Sequence, residues 1–362
     1  MGRGPFAPSG TVRDPAERFD RPGESKHSAG GCEELPLSVV LGPMIRALAR
    51  RLVHPRRAGA ATLVTLSIAA AAFGCHAAAG GASDPMPNLA LPTGGGNQLW
   101  ADVAYDGGWR VQRHVWTGHA RLLDGNDVRR AWGSEESCRA ALAERAPGLE
   151  DASLPVAVVL HGLWRSRDSM SALTEALEES GFEVLDVAYP STRGTIAEHA
   201  AQVAELLDGL RGERREVSFV THSLGGLVTR ALLAREGDAW RARHRLGRAV
   251  FIAAPHRGAA LARVGAKVPG ALTLYGEPSQ EMARGVAATL PIPPLPFLDV
   301  AAARGTEEGW NPLVPGDDDG VVGVEETRLE GETARLVVRG THTFVMRDPE
   351  VVRAAVGFLL GD

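Results

Sequence analysis

The chain has 362 residues, 44% of them apolar and 23% charged, and a formal net charge of -5. That is the make-up of an ordinary soluble globular protein, with no basic surface for a nucleic-acid partner. The length accommodates one large α/β domain with appendages, and the cysteines Cys32, Cys75 and Cys138 lie too far apart for a zinc site or a dense disulfide framework.

Residues 1–43 are rich in Pro, Gly, Ser and charge and lack periodicity, which predicts disorder. At Met44 the composition changes to an arginine-rich stretch, then an uncharged apolar run from Ala58 to Cys75, then small residues. This is the order of a secretory signal. The run is short and alanine-heavy for the ~20 residues that cross a bilayer. Residues 44–79 are therefore expected to be a signal that is cleaved, lipidated at Cys75 after "AFGC", or, less in keeping with its length, retained as an anchor with membrane association through 58–75, a buried core helix being the other reading. The expected location is outside the cytoplasm or at the envelope of a bacterium, periplasmic, secreted or lipid-anchored. Arginine supplies nearly all the positive charge, with lysine only at Lys26 and Lys267, a codon bias of GC-rich bacterial genomes. A signal starts near the initiating methionine, so Met44 is the expected start of translation. Residues 80–97 read as a Gly, Ala and Pro linker, and the folded domain is expected over 98–362.

Alternation in "LWADVAYDGGWRVQRHVW", broken by Asp106, Gly107 and Gly108, predicts a hairpin, and "SEESCRAALAERA" a capped helix. Short apolar and amphipathic runs then alternate: strand "PVAVVL", helix 170–180, strand "FEVLDVAY", helix 195–210, strand "EVSFV", helix 224–235 and strand "RAVFIAA". Strands "PFLDVAAAR" and "ARLVVRG" follow, then a closing helix with Asp348 as N-cap and Pro349 at its first position. Such a pattern predicts a doubly wound, mostly parallel sheet with helices on both faces. A sheet of that kind binds ligands beyond the carboxyl ends of its strands. Residues 259–295 interrupt the alternation with a Pro-, Ala- and Leu-rich insertion, read either as a cap or lid or as a surface connection with short helices.

Between "EVSFV" and "LVTRALLA" lies "THSLGG". A serine held on a tight strand-to-helix turn is exposed for attack, provided its neighbours two before and two after are small. Gly225 and Gly226 meet that need downstream, and Thr221 stands where a first glycine is usual. Ser223 is thus a candidate nucleophile, the alternative being a helix cap. One oxyanion donor would be the backbone N–H of Leu224. The loop "LHGLW" offers the other at Leu163, with His161 shaping the loop. In a chain order of serine, acid, base, His342 is the candidate base. His256 of "APHRG" is its rival, and His222 is expected to point away from the reaction. The acid falls in "PGDDDGVV": Asp319, with Asp318 as the alternative. A solvated acidic loop, or a calcium site built from the same carboxylates, is a further reading of that cluster. No cofactor or other metal is called for.

The ordered motifs "VVLHGL", "FVTHSLGGLVTRALL", "FIAAPHRG", "DDDGVV" and "THTFVMRDPE" resemble an α/β-hydrolase of the bacterial lipase and esterase branch, which is similar to the GPI inositol-deacylases. The likeness spans roughly residues 150–362. It implies a serine hydrolase acting on carboxylic esters, lipid or acyl esters among them, through Ser223, Asp319 and His342, and it implies that Thr221 is tolerated. An acyltransferase using the same three residues, and a non-catalytic binding protein on the same fold, are the alternatives. The expected partner is an ester or lipid substrate; no obligate protein partner is indicated.

Overall fold

The computed structural model describes residues 90–93, 96–146 and 153–362. The expected disorder, the signal or anchor and most of the linker lie outside these residues, as do Cys32 and Cys75. Among the described residues no helix is long and apolar enough to cross a membrane.

Two sheets make up the described part. The smaller is antiparallel, in the order β1-β5-β4-β3-β2: β1 (Leu91–Pro92), β2 (Trp100–Asp106), β3 (Trp109–His114), β4 (Ala120–Leu123) and β5 (Val128–Gly133). Gly107 and Gly108, at φ 54° and 83°, make the two-residue turn that joins β2 to β3, because positive φ at both positions matches the right-handed twist of the strands. The hairpin was expected; β1, β4 and β5 were not, and Leu91–Pro92 falls in the stretch read as linker. Val103, Val111, Ala120 and Leu122 pack against Cys138 and Leu142 of α1 (Glu135–Arg145), which Ser134 caps by accepting from the Ser137 N–H.

The larger sheet has six parallel strands in the order β11-β10-β9-β8-β6-β7. They are β6 (Val156–Leu160), β7 (Glu183–Val187), β8 (Glu216–His222), β9 (Arg245–Ile252), β10 (Phe297–Ala303) and β11 (Ala334–Arg339). Burial on both faces explains why β6 reads as an unbroken apolar run. Val158 and Phe219 point to one face, where α3 (Ile196–Asp208), α4 (Leu224–Leu233) and α5 (Ala239–Arg243) cover them. Val159 and Val220 point to the other, under α2 (Ser171–Glu179) and α10 (Pro349–Leu360). The doubly wound parallel sheet expected from the alternation is present, and Asp348 caps α10 with Pro349 in its first turn.

The insertion folds as four short helices, α6 (Ala260–Gly265), α7 (Ala271–Tyr275), α8 (Glu277–Ala283) and α9 (Val286–Thr289). Glu326 anchors its start, accepting from the Ala260 N–H at 2.6 Å and from Arg263 at 3.1 Å, and two further contacts hold the rest. The Glu281 carboxylate accepts the N–H of Ile196 at 2.7 Å, and the buried Arg230 guanidinium of α4 donates to the carbonyls of Ala287, Leu290 and Pro291.

Charge joins the two sheets. Arg110 of β3 donates to Asp102 of β2 at 3.1 Å and to Asp186 of β7 at 2.8 Å. Arg167 then bonds the other Asp186 oxygen at 2.8 Å and reaches Asp127. The main chain joins in, since Asp102 and Ala188 exchange N–H groups at 2.9 and 2.8 Å. Burial pushes the Asp186 carboxyl up, but the charges of Arg110 and Arg167 outweigh it and hold it below its ordinary range. A carboxylate depressed in the fold contributes stability above its unfolded pKa and loses it as pH falls through its folded value. Removing one member of a buried ion network leaves its partners uncompensated, at about 3–5 kcal/mol. Arg110→Ala is expected to lower the free energy of unfolding read from urea melts by that amount at pH 7, with the deficit shrinking in acid below the carboxylate range; an unchanged free energy would show that the network does not join the sheets.

Candidate active site

Ser223 sits between the end of β8 and the first residue of α4 at φ 54°, ψ -119°. A non-glycine residue holds such a backbone only where its surroundings enforce it, at a cost of about 1–3 kcal/mol. Here β8 lies between β6 and β9, the Ser223 N–H donates to the Ile252 carbonyl of β9 at 2.9 Å, and the Gly226 N–H returns to the Ser223 carbonyl at 3.0 Å. The Ser223 side chain makes no capping bond to α4, so the helix-cap alternative does not describe it.

The glycines mark where backbone is crowded. A methyl on Gly225 would meet the Leu160 carbonyl oxygen at 2.6 Å, and one on Gly226 would meet Ala254 Cβ at 2.6 Å with the Thr221 hydroxyl at 3.6 Å. Thr221 is fully buried and turns its hydroxyl to the Val250 carbonyl at 3.3 Å.

His342 lies in the turn after β11 and joins two of the other candidates. Its Nε2 is 3.0 Å from Ser223 Oγ and its Nδ1 2.7 Å from Asp319 Oδ2. Asp319 accepts at that oxygen, so the proton is on Nδ1 and Nε2 is free to accept from the serine. The second Asp319 oxygen takes the N–H groups of Val321 and Val322 at 2.9 and 2.7 Å, and the His342 N–H bonds the Asp319 carbonyl at 2.9 Å. Asp318 is turned away from His342: its carboxylate accepts from the Asn311 and Gly320 N–H groups. Asp317 likewise serves the N–H groups of Arg304, Gly305 and Asp318.

The turn after β6 lies beside the serine. A methyl on Gly162 would meet Ser223 Cβ at 3.1 Å and His222 Nδ1 at 2.8 Å. Among the described residues neither the Leu163 N–H nor the Leu224 N–H donates to a protein partner. The Leu224 N–H opens helix α4, and such N–H groups favour an oxyanion. His161 stacks on Tyr189 with ring centroids 4.3 Å apart; its Nδ1 lies 2.9 Å from the Gly162 carbonyl, and the Tyr189 hydroxyl donates to the His161 carbonyl. Burial pushes its imidazole down to about 4, so it shapes this loop as a neutral ring.

Three supports have no simple signal in the sequence. Gln98 donates to the Arg165 carbonyl and to Ser191 Oγ, each at 3.0 Å, and Ser191 Oγ accepts from the Trp164 N–H at 3.1 Å. His222, expected to point away, does avoid Ser223 Oγ but bonds the His342 carbonyl through Nε2 at 3.0 Å, steadying the residue that faces the serine. Burial, with the adjoining His342, drives its imidazole well below the usual range. His256 is buried elsewhere, its Nε2 4.0 Å from Asp299 Oδ1 and its Nδ1 3.4 Å from Arg230.

Residues 153–264 match a family described as "Putative serine esterase (DUF676)". No curated protein matches the chain. Among solved structures, the mature lipase BlEst2 of Bacillus licheniformis is similar at TM-score 0.46 and 17% identity, over 58% of this chain and 93% of that one. The esterase EaEST of Exiguobacterium antarcticum is similar at TM-score 0.38 and 14% identity, over 57% and 92%.

Gly225→Ala forces a methyl against backbone, and overpacking of this kind costs about 1–3 kcal/mol. The variant is expected to melt earlier than wild type in a thermal scan; an unchanged melting temperature would mean that the turn has slack.

Proposed function

We propose that the chain is an α/β-hydrolase, a serine hydrolase that cleaves carboxylic esters through an acyl-enzyme at Ser223. The observation that carries this reading is the His342 bridge: one imidazole, oriented by a buried carboxylate, within 3.0 Å of a serine oxygen held on a strained turn.

The steps follow from those contacts. Ser223 Oγ attacks the ester carbonyl as His342 Nε2 takes its proton. The oxyanion that forms is assigned to the Leu163 and Leu224 N–H groups, and one such donor is worth about 2.7–4 kcal/mol elsewhere. His342 returns the proton to the departing alcohol, leaving the acyl group on Ser223. Water, deprotonated by the same nitrogen, releases the acid. Asp319 holds the Nδ1–H tautomer and offsets the imidazolium charge.

For the substrate we assign acyl esters, lipid esters among them. Trp164, next to the proposed oxyanion donor, and Phe344, two residues after His342, are 57% and 61% exposed, and exposed apolar surface beside a few convergent polar groups suits a substrate with a lipid portion.

A fluorophosphonate probe is expected to label wild type, to leave Ser223→Ala unlabelled and to label His342→Ala only weakly. On an ester panel of increasing acyl length, Asp319→Asn is expected to lower kcat by roughly 10⁴, the scale of a misplaced tautomer, and Asp318→Asn far less. Labelling of Ser223→Ala equal to wild type would remove this serine from the chemistry.

A further inference from the structure

Beside the turn that follows β6 lies a cavity of about 410 Å³ whose lining includes Gln98, Trp164, Arg165, Asp168 and Arg347. The turn begins at Gly162, against Ser223, and Arg165 closes it by donating its backbone N–H to the Gly162 carbonyl at 3.2 Å. Arg347 reaches it from another segment, at the end of the 3-10 turn Val345–Arg347, five positions after His342. It also borders a second hollow of about 260 Å³ lined by Thr341 and Phe344. The loop of the proposed base and the loop of the proposed oxyanion donor thus each bring an arginine to one place.

These arginines differ from those that hold the sheets together. Among the described residues neither is in an ion pair; Arg347 makes one long contact, 3.5 Å, to the Asp168 backbone carbonyl. Burial, and then the like charge of Arg347, holds the Arg165 guanidinium below its ordinary range, and the Arg165 charge is also felt at His222. The lining sets two guanidiniums against one carboxylate, Asp168. Like charges brought together in a partly sheltered hollow repel unless an anion joins them, and the planar fork of arginine matches the oxygens of a phosphate.

We propose that Arg165 and Arg347 form an anion subsite that takes a phosphate group on the alcohol side of the ester, making the substrate a phosphate-bearing acyl ester. The side follows from the chemistry: His342 returns the proton to the leaving alcohol, so the alcohol lies toward His342, and Arg347 stands on the same loop. The inference rests on Ser223 as the nucleophile and names the substrate class of that site.

The test compares kcat/KM for a monoacylglycerol phosphate and the matching monoacylglycerol, both below their aggregation concentrations. Wild type is expected to favour the phosphate by about tenfold, the scale of one net charge-assisted contact, and to lose that preference as salt rises. The ratio is expected to fall toward one in Arg165→Gln/Arg347→Gln and to rise in Asp168→Asn, while Arg353→Gln, which lines neither hollow, leaves it unchanged. An equal ratio in wild type and the double variant overturns the proposal. Calorimetric titration of Ser223→Ala protein with inorganic phosphate reads the subsite without turnover. Binding there that vanishes when Arg165→Gln/Arg347→Gln are added supports it, and no binding overturns it. Binding of free phosphate without a preference between the two esters overturns the substrate assignment. Failure of wild type to turn over any ester, with phosphate binding intact, sinks the esterase reading and leaves the anion site standing.

Discussion

The left-handed backbone of Ser223 is the constraint on which the site depends. It reverses the chain within one residue, so that β8 runs in under the sheet core and α4 leaves along its face. The reversal presses the start of α4 against the end of β6, which is why Gly225 has no room for a side chain beside Leu160. It also leaves the Leu224 N–H at a bare helix start next to the serine oxygen. The strain is sustained by strands buried on both faces, where Phe219 and Val220 anchor β8 in separate cores. A strained residue persists only where its surroundings over-determine it, and the centre of a parallel sheet is such a place.

Charge is managed in two ways around this turn. Toward the smaller sheet, buried carboxylates and guanidiniums neutralise one another, as at Arg110 with Asp102 and Asp186. Near the serine, buried histidines are kept neutral instead: burial lowers His161, His199 and His222. His222 can then donate one N–H to the His342 carbonyl without placing a second positive charge beside the imidazole proposed to take up a proton. A cationic ring there would oppose that uptake.

Elements whose signal is local were legible in the sequence. The parallel strands announce themselves as apolar runs, the hairpin by Asp106, Gly107 and Gly108, and the turn by small residues around Ser223. The juxtaposition of Ser223, Asp319 and His342 was legible because each follows a strand of one sheet, so chain order carried spatial meaning. β4 and β5 were hidden because Arg121, Arg129 and Arg130 interrupt their apolar alternation. Arg121 is buried all the same, over the Trp100 ring at 4.0 Å and bonded to Gln112, partners on other strands whose pairing a periodicity count does not reveal. Asp318 and Asp319 could not be separated by pattern alone, being adjacent and alike. Only the turn, which gives one to Asn311 and Gly320 and the other to His342, distinguishes them.

The same distance in sequence hides the supports of the loop after β6. Gln98 stands 67 residues from the Arg165 carbonyl it holds and 93 from Ser191, yet these bonds fix the turn in which Trp164 adopts φ 58°. Gln98 directly precedes the strand run that Arg110, Asp102 and Asp186 fasten to the larger sheet. Through it, the placement of the turn that brings Gly162 against Ser223 depends on the docking of the smaller sheet, so that sheet is part of the site's framework as well as an appendage to the fold. A loop proposed to aim a single N–H at one oxygen needs support from rigid elements, and Gln98, just before β2, and Ser191, just after β7, supply it.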